Sequence, residues 1–350
     1  MSDREATALG ALLLNIGKFW QRTGLDIDRF KRFAPEKSPM DDHIAWSALF
    51  LKEYVAPHFP DQAGRLLNTH LYRGKPIGPG SDPDNLSRII LDAHNLACPP
   101  ESGSSAQSGR TQPARLLRAV TDLVAYSKHG KEERDAGKSD HYYPLVSLSL
   151  SSDRFPEASG KVPDTPKSYA DLWAPFIADH ARLPGGDIQA YLESLPFLLH
   201  KYTWCVPTAQ FVSIYDSGRV AAALAVCLYD ASRGGFSASG EFLFIEGDIS
   251  GIQDFIYNPA FNGQELQDGM ARRLRGRSFY INLLVSTLAD YLALELHLMR
   301  LNILWSSGGH FLIVAPNTQA TADLLNQART TVQRWIWKDF RGALGVTISD

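Results

Sequence analysis

The sequence has few cysteines, no long apolar run and little net charge. Cys98, Cys205 and Cys227 lie far apart among 350 residues, a spacing that predicts neither a metal site nor a disulfide framework and is typical of a reduced, cytoplasmic protein. No apolar run reaches the roughly 18 residues that span a bilayer, and the charged first ten residues do not predict a signal peptide. Because the net charge is only −3, the overall charge does not favour nucleic-acid binding, and any such binding would depend on local basic patches.

The first part of the chain is predicted to be an all-helical domain over residues 1–138. Apolar residues recur at helical spacing over 5–22, 42–57, 84–96 and 113–129, and the Ser- and Gly-rich stretch 101–113 predicts a flexible loop. His43, His94 and Asp122 lie on these helices, and imidazole and carboxylate together suit a divalent metal. Isolated histidines without a ligand spacing are more often structural, so both interpretations stay open here.

Residues 139–240 are predicted to be a connector followed by helices. Residues 145–150 alternate in the manner of a strand, and helices are expected over 168–182, 186–201 and 218–231. Asp216 or Ser217 is expected to cap the last of these helices, because short polar side chains favour the N-cap position.

Residues 241–350 predict a ferredoxin-like βαββαβ domain, so the chain as a whole is predicted to be α+β. The expected strands are 242–247, 301–306, 310–315 and 345–349, and the expected helices are 272–299 and 318–337. Gly308 and Gly309 suit a hairpin turn with positive φ.

The chemistry of this domain rests on one carboxylate. Palm enzymes that transfer nucleotidyl groups hold two divalent metals between carboxylates on the first strand and on the hairpin. Asp248 ends the first predicted strand, but His310 and Phe311 follow the hairpin glycines. We therefore expect no catalytic residue and no metal site in this chain.

Other residues near Asp248 are candidates for binding. Backbone amides at Ser250 and Gly251, with the Ser250 hydroxyl, could hold a nucleotide phosphate, and the hairpin glycines Gly308 and Gly309 are secondary candidates. A cluster of arginines could contact phosphate or RNA, because guanidinium groups match phosphate oxygens. The alternative is a basic surface that pairs with neighbouring acids. The arginines of this cluster are Arg272, Arg273, Arg275 and Arg277.

The N-terminal run Ala-Leu-Leu-Leu-Asn-Ile-Gly-Lys-Phe-Trp-Gln-Arg at 11–22 resembles the start of the HD domain in the large subunit of type III CRISPR effector complexes. Leu14 and Asn15 stand where that family has its His-Asp pair. His43, the pair His94-Asn95 and Asp122 resemble the later HD elements. Since leucine offers no lone pair and an amide is a weak ligand, the resemblance implies a degenerate HD domain.

Three further motifs are similar to the first, non-catalytic palm of the same family. They are Gly-Asp-Ile-Ser-Gly-Ile-Gln from 247, Leu-Arg-Gly-Arg-Ser-Phe-Tyr from 274 and Gly-Gly-His-Phe from 308. The resemblance implies three parts: a degenerate HD-like domain at 1–138, a linker and helical segment at 139–240, and a palm at 241–350.

The resemblance implies a scaffolding large-subunit homologue in an RNA-guided, RNA-targeting complex, without nuclease or cyclase chemistry and not an enzyme on its own. Its expected partners are other type III subunits, guide RNA and target RNA, with no membrane. No cofactor is required, although ATP and Mg²⁺ are candidates at the palm. The first alternative is the ATP-binding half of a split or truncated cyclic-oligoadenylate synthase that needs a second palm with Gly-Gly-Asp-Asp. The second is a stand-alone nucleotide-binding sensor.

Overall fold

The chain combines helices and strands, which confirms the expected mixed class. The structure is a computed structural model that describes residues 1–37, 42–72, 75–76, 85–98, 116–122, 140–209, 211–234, 240–257 and 270–350. It divides into two compact units, Met1–Ala225 and Val226–Asp350. Within the described residues, no helix is long and apolar enough to cross a membrane. The three-part division predicted from the sequence stays a prediction.

Short helices form most of the first part of the N-terminal unit. They are α1 (Asp3–Leu13), α2 (Ile16–Arg22), α3 (Ile27–Phe33), α4 (His43–Phe50), α5 (Ala63–Leu67) and α6 (Asn85–Ala97). After α4 the chain continues as a π-helical turn, Leu51–Val55, and then as a 3₁₀-helical turn, Ala56–His58. The helices predicted over 42–57 and 84–96 therefore correspond to real helical segments.

The single helix predicted over 5–22 is wrong, because the chain breaks between α1 and α2. Ser47, on α4, supplies the reason. Its buried hydroxyl donates to the Leu14 carbonyl at 2.7 Å and accepts the Gly17 amide at 2.8 Å. These two bonds satisfy backbone groups that a continuous helix would pair within itself.

Residues 1–138 are not all-helical, contrary to expectation. Strand β1 (Leu71–Tyr72) pairs with β2 (Lys75–Pro76), and Arg118 forms a β-bridge with Tyr142. The helix predicted over 113–129 is therefore wrong at Arg118, although residues 120–122 are helical as predicted. Its parts at 113–115 and 123–129, like the predicted loop 101–113, lie outside the described residues.

The strand predicted over 145–150 is also wrong. The pairing here is instead between β3 (His141–Tyr142) and β4 (Glu157–Ala158). The Leu148 amide donates to the Lys201 carbonyl at 2.7 Å, and Leu150 is exposed. Alternating apolar residues alone do not make a strand when their backbone groups find partners on a helix.

Three longer helices and a short hairpin complete the N-terminal unit, and the third helix continues past its boundary. They are α7 (Pro166–His180), α8 (Ile188–Thr203), β5 (Pro207–Ala209), β6 (Val212–Ser213) and α9 (Ile214–Gly234). The cap of α9 is Ser213, whose hydroxyl accepts the Asp216 amide at 3.0 Å and donates to the Asp216 carboxylate at 2.7 Å. The predicted caps Asp216 and Ser217 are thus wrong.

Aromatic side chains form the core where α2, α4 and α7 meet. Phe19 and Trp20 contact Trp173, with ring centroids 4.9 and 5.5 Å apart, and Phe50 stacks on Phe176 at 6.0 Å. Each fully buried ring contributes about 1.5–3 kcal/mol to folding, so this core holds α2 and α4, two of the helices that carry the N-terminal site, against α7.

The C-terminal unit carries a four-stranded antiparallel sheet with strand order β10-β7-β9-β8. Its elements are β7 (Phe242–Ser250), α10 (Ile252–Tyr257), α11 (Met270–Glu295), β8 (Ile303–Ser307), β9 (His310–Pro316), α12 (Gln319–Phe340) and β10 (Gly345–Ser349). The long elements follow the predicted order, while α10 was not predicted.

One face of this sheet packs against α11 and α12, and the other is open along β7 but covered at Val314 of β9. Ile245 and Ile313 are fully buried in a core shared with Val285 of α11 and Leu325 of α12. Residues of β7 alternate in burial, so Phe244, Glu246 and Asp248 lie on the open face.

Candidate functional site

The N-terminal candidate site is a polar cluster formed by Asn15, Lys18, His43 and His94, called here the N-terminal polar cluster. Asn15 lies just before α2 and is buried, and its amide Nδ2 is 3.4 Å from His94 Nδ1 on α6. Asn15 Oδ1 and His43 Nε2 are buried with no hydrogen-bond partner among the described residues. Gly17 allows this approach of α2 to α4, since a Cβ there would lie 2.0 Å from the His43 carbonyl oxygen.

Burial and Lys18 set the charge of this cluster. Burial, with a smaller contribution from Lys18, lowers the pKa of His43 to about 3 and that of His94 to about 4. Burial, followed by repulsion from Arg22, lowers the pKa of Lys18 to about 8. At neutral pH the two imidazoles are therefore neutral beside a largely protonated amine.

The structure brings only part of the predicted HD set together. Leu14 is fully buried and offers only methyl groups, and Asn95 is exposed. Asp122 bonds to the His141 amide at 2.7 Å and to Arg118 at 3.4 Å. Asn15, His43 and His94 thus share one site, but Leu14, Asn95 and Asp122 do not add ligands to it.

These donors do not fit the pair of divalent metals that the HD resemblance would imply. Two imidazoles and a carboxamide lack the bridging carboxylate that such ions prefer, and Lys18 places a cation beside them. Within the described residues, no three His, Cys, Asp or Glu side chains lie close enough to hold a metal.

The C-terminal candidate site is formed by Asp248, Trp305 and His310, called here the hairpin site. Asp248 on β7 faces His310 on β9 in register, and its Oδ1 lies 3.0 Å from His310 Nδ1. Trp305 on β8 stacks on the His310 ring with centroids 6.0 Å apart and planes 10° apart. Trp305 was missed from the sequence, although its position two residues before the hairpin was a usable signal.

The other predicted nucleotide-binding residues lie near the hairpin site. Ser250 ends β7 and is exposed, and Gly251 follows with φ of 83°. Gly308 and Gly309 have φ of 63° and 100°, as predicted for the hairpin. The Gly309 carbonyl accepts the Ile249 amide at 2.9 Å, which fixes the hairpin against β7. The geometry does not test nucleotide binding, which stays a prediction.

The arginines of the predicted phosphate-binding cluster lie along α11. Arg272, Arg273 and Arg275 are exposed, whereas Arg277 donates to the Ile256 carbonyl at 3.1 Å and lies 5.9 Å from the Phe255 ring centroid. Their role as RNA or phosphate contacts also stays a prediction.

Comparison with known families identifies the C-terminal region. Residues 241–350 match the family described as Csm1 subunit domain B. Two relatives match nearly the whole chain, and both are named as the CRISPR system single-strand-specific deoxyribonuclease Cas10/Csm1 of subtype III-A. The protein from Thermococcus onnurineus is 27% identical over 99% of this chain and 43% of its own. The protein from Methanocaldococcus jannaschii is 25% identical over 100% of this chain and 45% of its own.

The chain is a homologue of the Cas10/Csm1 large subunits. Its similarity covers less than half the length of these relatives and corresponds to their N-terminal half. A crystal structure of a Csm1-Csm4 cassette in complex with cA3 superimposes with a TM-score of 0.69 at 25% identity, over 100% of this chain and 44% of that one. The type III resemblance read from the motifs is thereby confirmed.

One prediction is corrected by these relatives. The sequence led us to expect a chain that is not an enzyme on its own. The Cas10/Csm1 homologues are named as single-strand-specific deoxyribonucleases, so enzymatic activity belongs to this family and the expectation is wrong. That expectation came from Leu14 and Asn15 at the HD pair and from His310 and Phe311 at the palm hairpin, where the residues present are poor metal ligands.

Proposed function

We propose that this chain acts as a large-subunit component of a type III-A CRISPR effector, within an RNA-guided, RNA-targeting complex. The observation that carries the proposal is the match of nearly the whole chain to Cas10/Csm1, together with domain B at residues 241–350. The partners we propose are other type III subunits, above all one that corresponds to the Csm4 of the similar Csm1-Csm4 cassette. Guide RNA and target RNA would be reached through that complex.

Within this role, we assign residues 1–138 to an altered HD-like domain and the C-terminal sheet to a ferredoxin-like palm. Support for the palm comes from the strand order β10-β7-β9-β8 and from the two helices on one face. Support for the HD-like domain comes from Asn15, His43 and His94, which meet although they are distant in the sequence.

Co-purification tests complex membership. The tagged full chain is expressed with the other subunits and the repeat-spacer RNA of a type III-A system, and an unrelated tagged protein of similar size serves as the control. We expect the Csm4-type subunit and guide-length RNA to elute with the chain in a fixed ratio. Elution of the chain alone would overturn the proposal. Cleavage of single-stranded DNA is assayed on the same material, because that activity is the one named for the relatives.

A second candidate function is ATP binding at the hairpin site, as half of a cyclic-oligoadenylate synthase that needs a second palm with Gly-Gly-Asp-Asp. Two observations favour it: the similar cassette was solved with cA3, and Asp248, Ser250 and Gly251 lie together at the end of β7. The exposed Trp305 ring supplies an aromatic surface beside them.

Calorimetry with ATP and Mg²⁺ tests this second function. We expect Asp248→Asn to weaken ATP binding about tenfold, since one charge-assisted contact contributes about 1.5–3 kcal/mol. Asp290→Asn, at an acid on the distant end of α11, should leave it unchanged. Equal affinities for the two variants, or no binding to the unmodified chain, would exclude the function.

A further inference from the structure

Three helices of the C-terminal unit meet in a cluster of aromatic rings that is open to solvent. Phe255 of α10 lies 5.9 Å from Tyr280 of α11 and 6.2 Å from Phe340 of α12. Tyr280 and Phe340 are 6.2 Å apart, and Trp335 is 5.9 Å from Phe340. These four residues are called here the aromatic cluster. Tyr280 and Trp335 keep 40% and 38% of their surface exposed.

More aromatic surface continues on the same three helices. Tyr257, Phe279 and Trp337 are each exposed by 64% to 68%. Single exposed apolar side chains are common, but several large ones on the helices that form an aromatic cluster indicate an interaction site. The domain core does not need these three rings, because the core is formed by other residues of the same helices.

Basic residues outnumber acidic ones near these rings on α11 and at the end of α12, whereas α10 carries one acid, Asp254. The first 18 residues of α11, 270–287, contain four arginines and no acidic residue. Arg334 and Lys338 on α12, and Arg341 directly after its end, stand within the stretch 334–341 with the single acid Asp339. This local excess contrasts with the chain's net charge of −3 and favours a polyanionic partner.

Arginines and rings are also joined in space. The Arg277 guanidinium lies over the Phe255 ring, 5.9 Å from its centroid, and is held there by its bond to the Ile256 carbonyl. Arg275, Phe279 and Leu283 are spaced four residues apart, so they share one exposed face of α11.

This combination selects one class of partner. Rings stack on bases and guanidinium groups bind phosphates, which is how proteins bind single strands without reading sequence. A duplex keeps its bases stacked inside and would use the arginines but not the rings. An apolar protein surface would use the rings but would bury the arginines at a cost.

We propose that the aromatic cluster, with Phe279, Trp337 and the arginines of α11, is a binding surface for single-stranded nucleic acid. Phosphates lie against Arg272, Arg273 and Arg275, and bases stack on the exposed rings. The surface belongs to this chain alone and does not depend on complex membership, so the isolated full chain is sufficient to test it.

The test is fluorescence anisotropy of the full chain with a labelled 20-nucleotide single-stranded RNA of mixed sequence. We expect Phe279→Ala to raise Kd about tenfold, because a stacked base contributes about 1–3 kcal/mol. The matched control is Phe197→Ala on α8, a phenylalanine of equal 68% exposure, which should leave Kd unchanged. Circular dichroism and Tm confirm that both variants fold.

The salt dependence of binding distinguishes the contribution of the arginines from that of the aromatic rings. Arg275→Ala should lower the slope of log K against log salt by about 0.7, the value for one lost phosphate contact on a single strand, whereas Phe279→Ala should leave the slope unchanged. Arg182→Ala, at an exposed arginine on the N-terminal unit, is the control.

Three results would overturn the proposal: no binding, equal Kd for Phe279→Ala and Phe197→Ala, or equal affinity for the single strand and its 20-base-pair duplex. A failed co-purification with other subunits would leave this measurement unaffected, so the two proposals fail separately.

Discussion

His310 Nδ1 lies 3.0 Å from Asp248 Oδ1, across the pair of antiparallel strands β9 and β7. Both side chains are about half exposed, so the pair contributes at most about 1 kcal/mol to stability. The pair is informative because His310 occupies the hairpin position where a palm cyclase would have a second carboxylate. Asp248 instead faces an imidazole, and the Trp305 ring stacks against the face of that imidazole.

Replacing this imidazole should create a cation site. His310→Asp would place two carboxylates directly opposite each other, which costs about 0.5–1 kcal/mol through repulsion. A divalent ion would offset the cost, so we expect Mn²⁺ to raise the Tm of His310→Asp by several degrees more than that of the unmodified chain. His310→Asn, of equal size and uncharged, is the control in differential scanning calorimetry. Identical Mn²⁺ shifts in all three proteins would contradict this.

Acid should destabilise the N-terminal unit through its buried histidines. Burial lowers the pKa of His43, His70 and His180 to about 3 and that of His94 to about 4. These values lie below the unfolded value of about 6.5, so the unfolded chain binds more protons below that pH. Above pH 6.5 these histidines do not lower the free energy of unfolding. As the pH falls from 6.5 toward 4, each histidine lowers the free energy of unfolding by about 1.4 kcal/mol per pH unit.

One of these histidines can be removed with little change in shape. His180 Nε2 lies 2.7 Å from the Tyr191 hydroxyl, and His180→Gln retains a hydrogen-bonding group without the titration. Urea unfolding from pH 7 to 5 should show a slope smaller by about 1.4 kcal/mol per pH unit. The exposed His297 offers the control His297→Gln. An unchanged slope for His180→Gln would be inconsistent with a buried neutral imidazole.

Removal of the Ser47 hydroxyl should lower the free energy of unfolding strongly for a single side-chain group. Ser47→Ala would leave the Leu14 carbonyl and the Gly17 amide without their buried partner, at a cost of about 2–4 kcal/mol. The exposed Ser278 in α11 provides Ser278→Ala, which should be neutral or slightly stabilising. Urea midpoints measure both. Equal midpoints would mean that another group closes the break between α1 and α2.

Replacement of two glycines by alanine should change the stability of the chain in opposite directions. A Cβ at Gly247 would lie 2.0 Å from the buried Phe311 ring, so Gly247→Ala should destabilise the sheet by about 1–3 kcal/mol. A Cβ at Gly276 on α11 meets nothing within 4 Å. Gly276→Ala should therefore stabilise the chain by about 0.5–1 kcal/mol. Thermal unfolding compares them, and a stable Gly247→Ala would contradict the close packing.

Part of the candidate sites could be predicted from local sequence. The hairpin glycines, Asp248 at the end of a strand and the arginines of α11 follow from turn chemistry and spacing. Asp122 and Asn95 could not be placed this way. Asp122 is held by Arg118 and His141, and Asn95 is turned to solvent, because the packing around each residue decides its partners.

The sequence by itself determined most helix and strand positions, the hairpin with its positive φ, and the presence of His310 where a palm cyclase has an acid. These features depend on a few neighbouring residues, so periodicity and motifs suffice to predict them. Only the tertiary structure decided where Ser47 breaks the first helix, that Asn15 meets His94, and that three helices share one aromatic cluster. Such contacts join residues far apart in the chain, and packing sets them rather than local pattern.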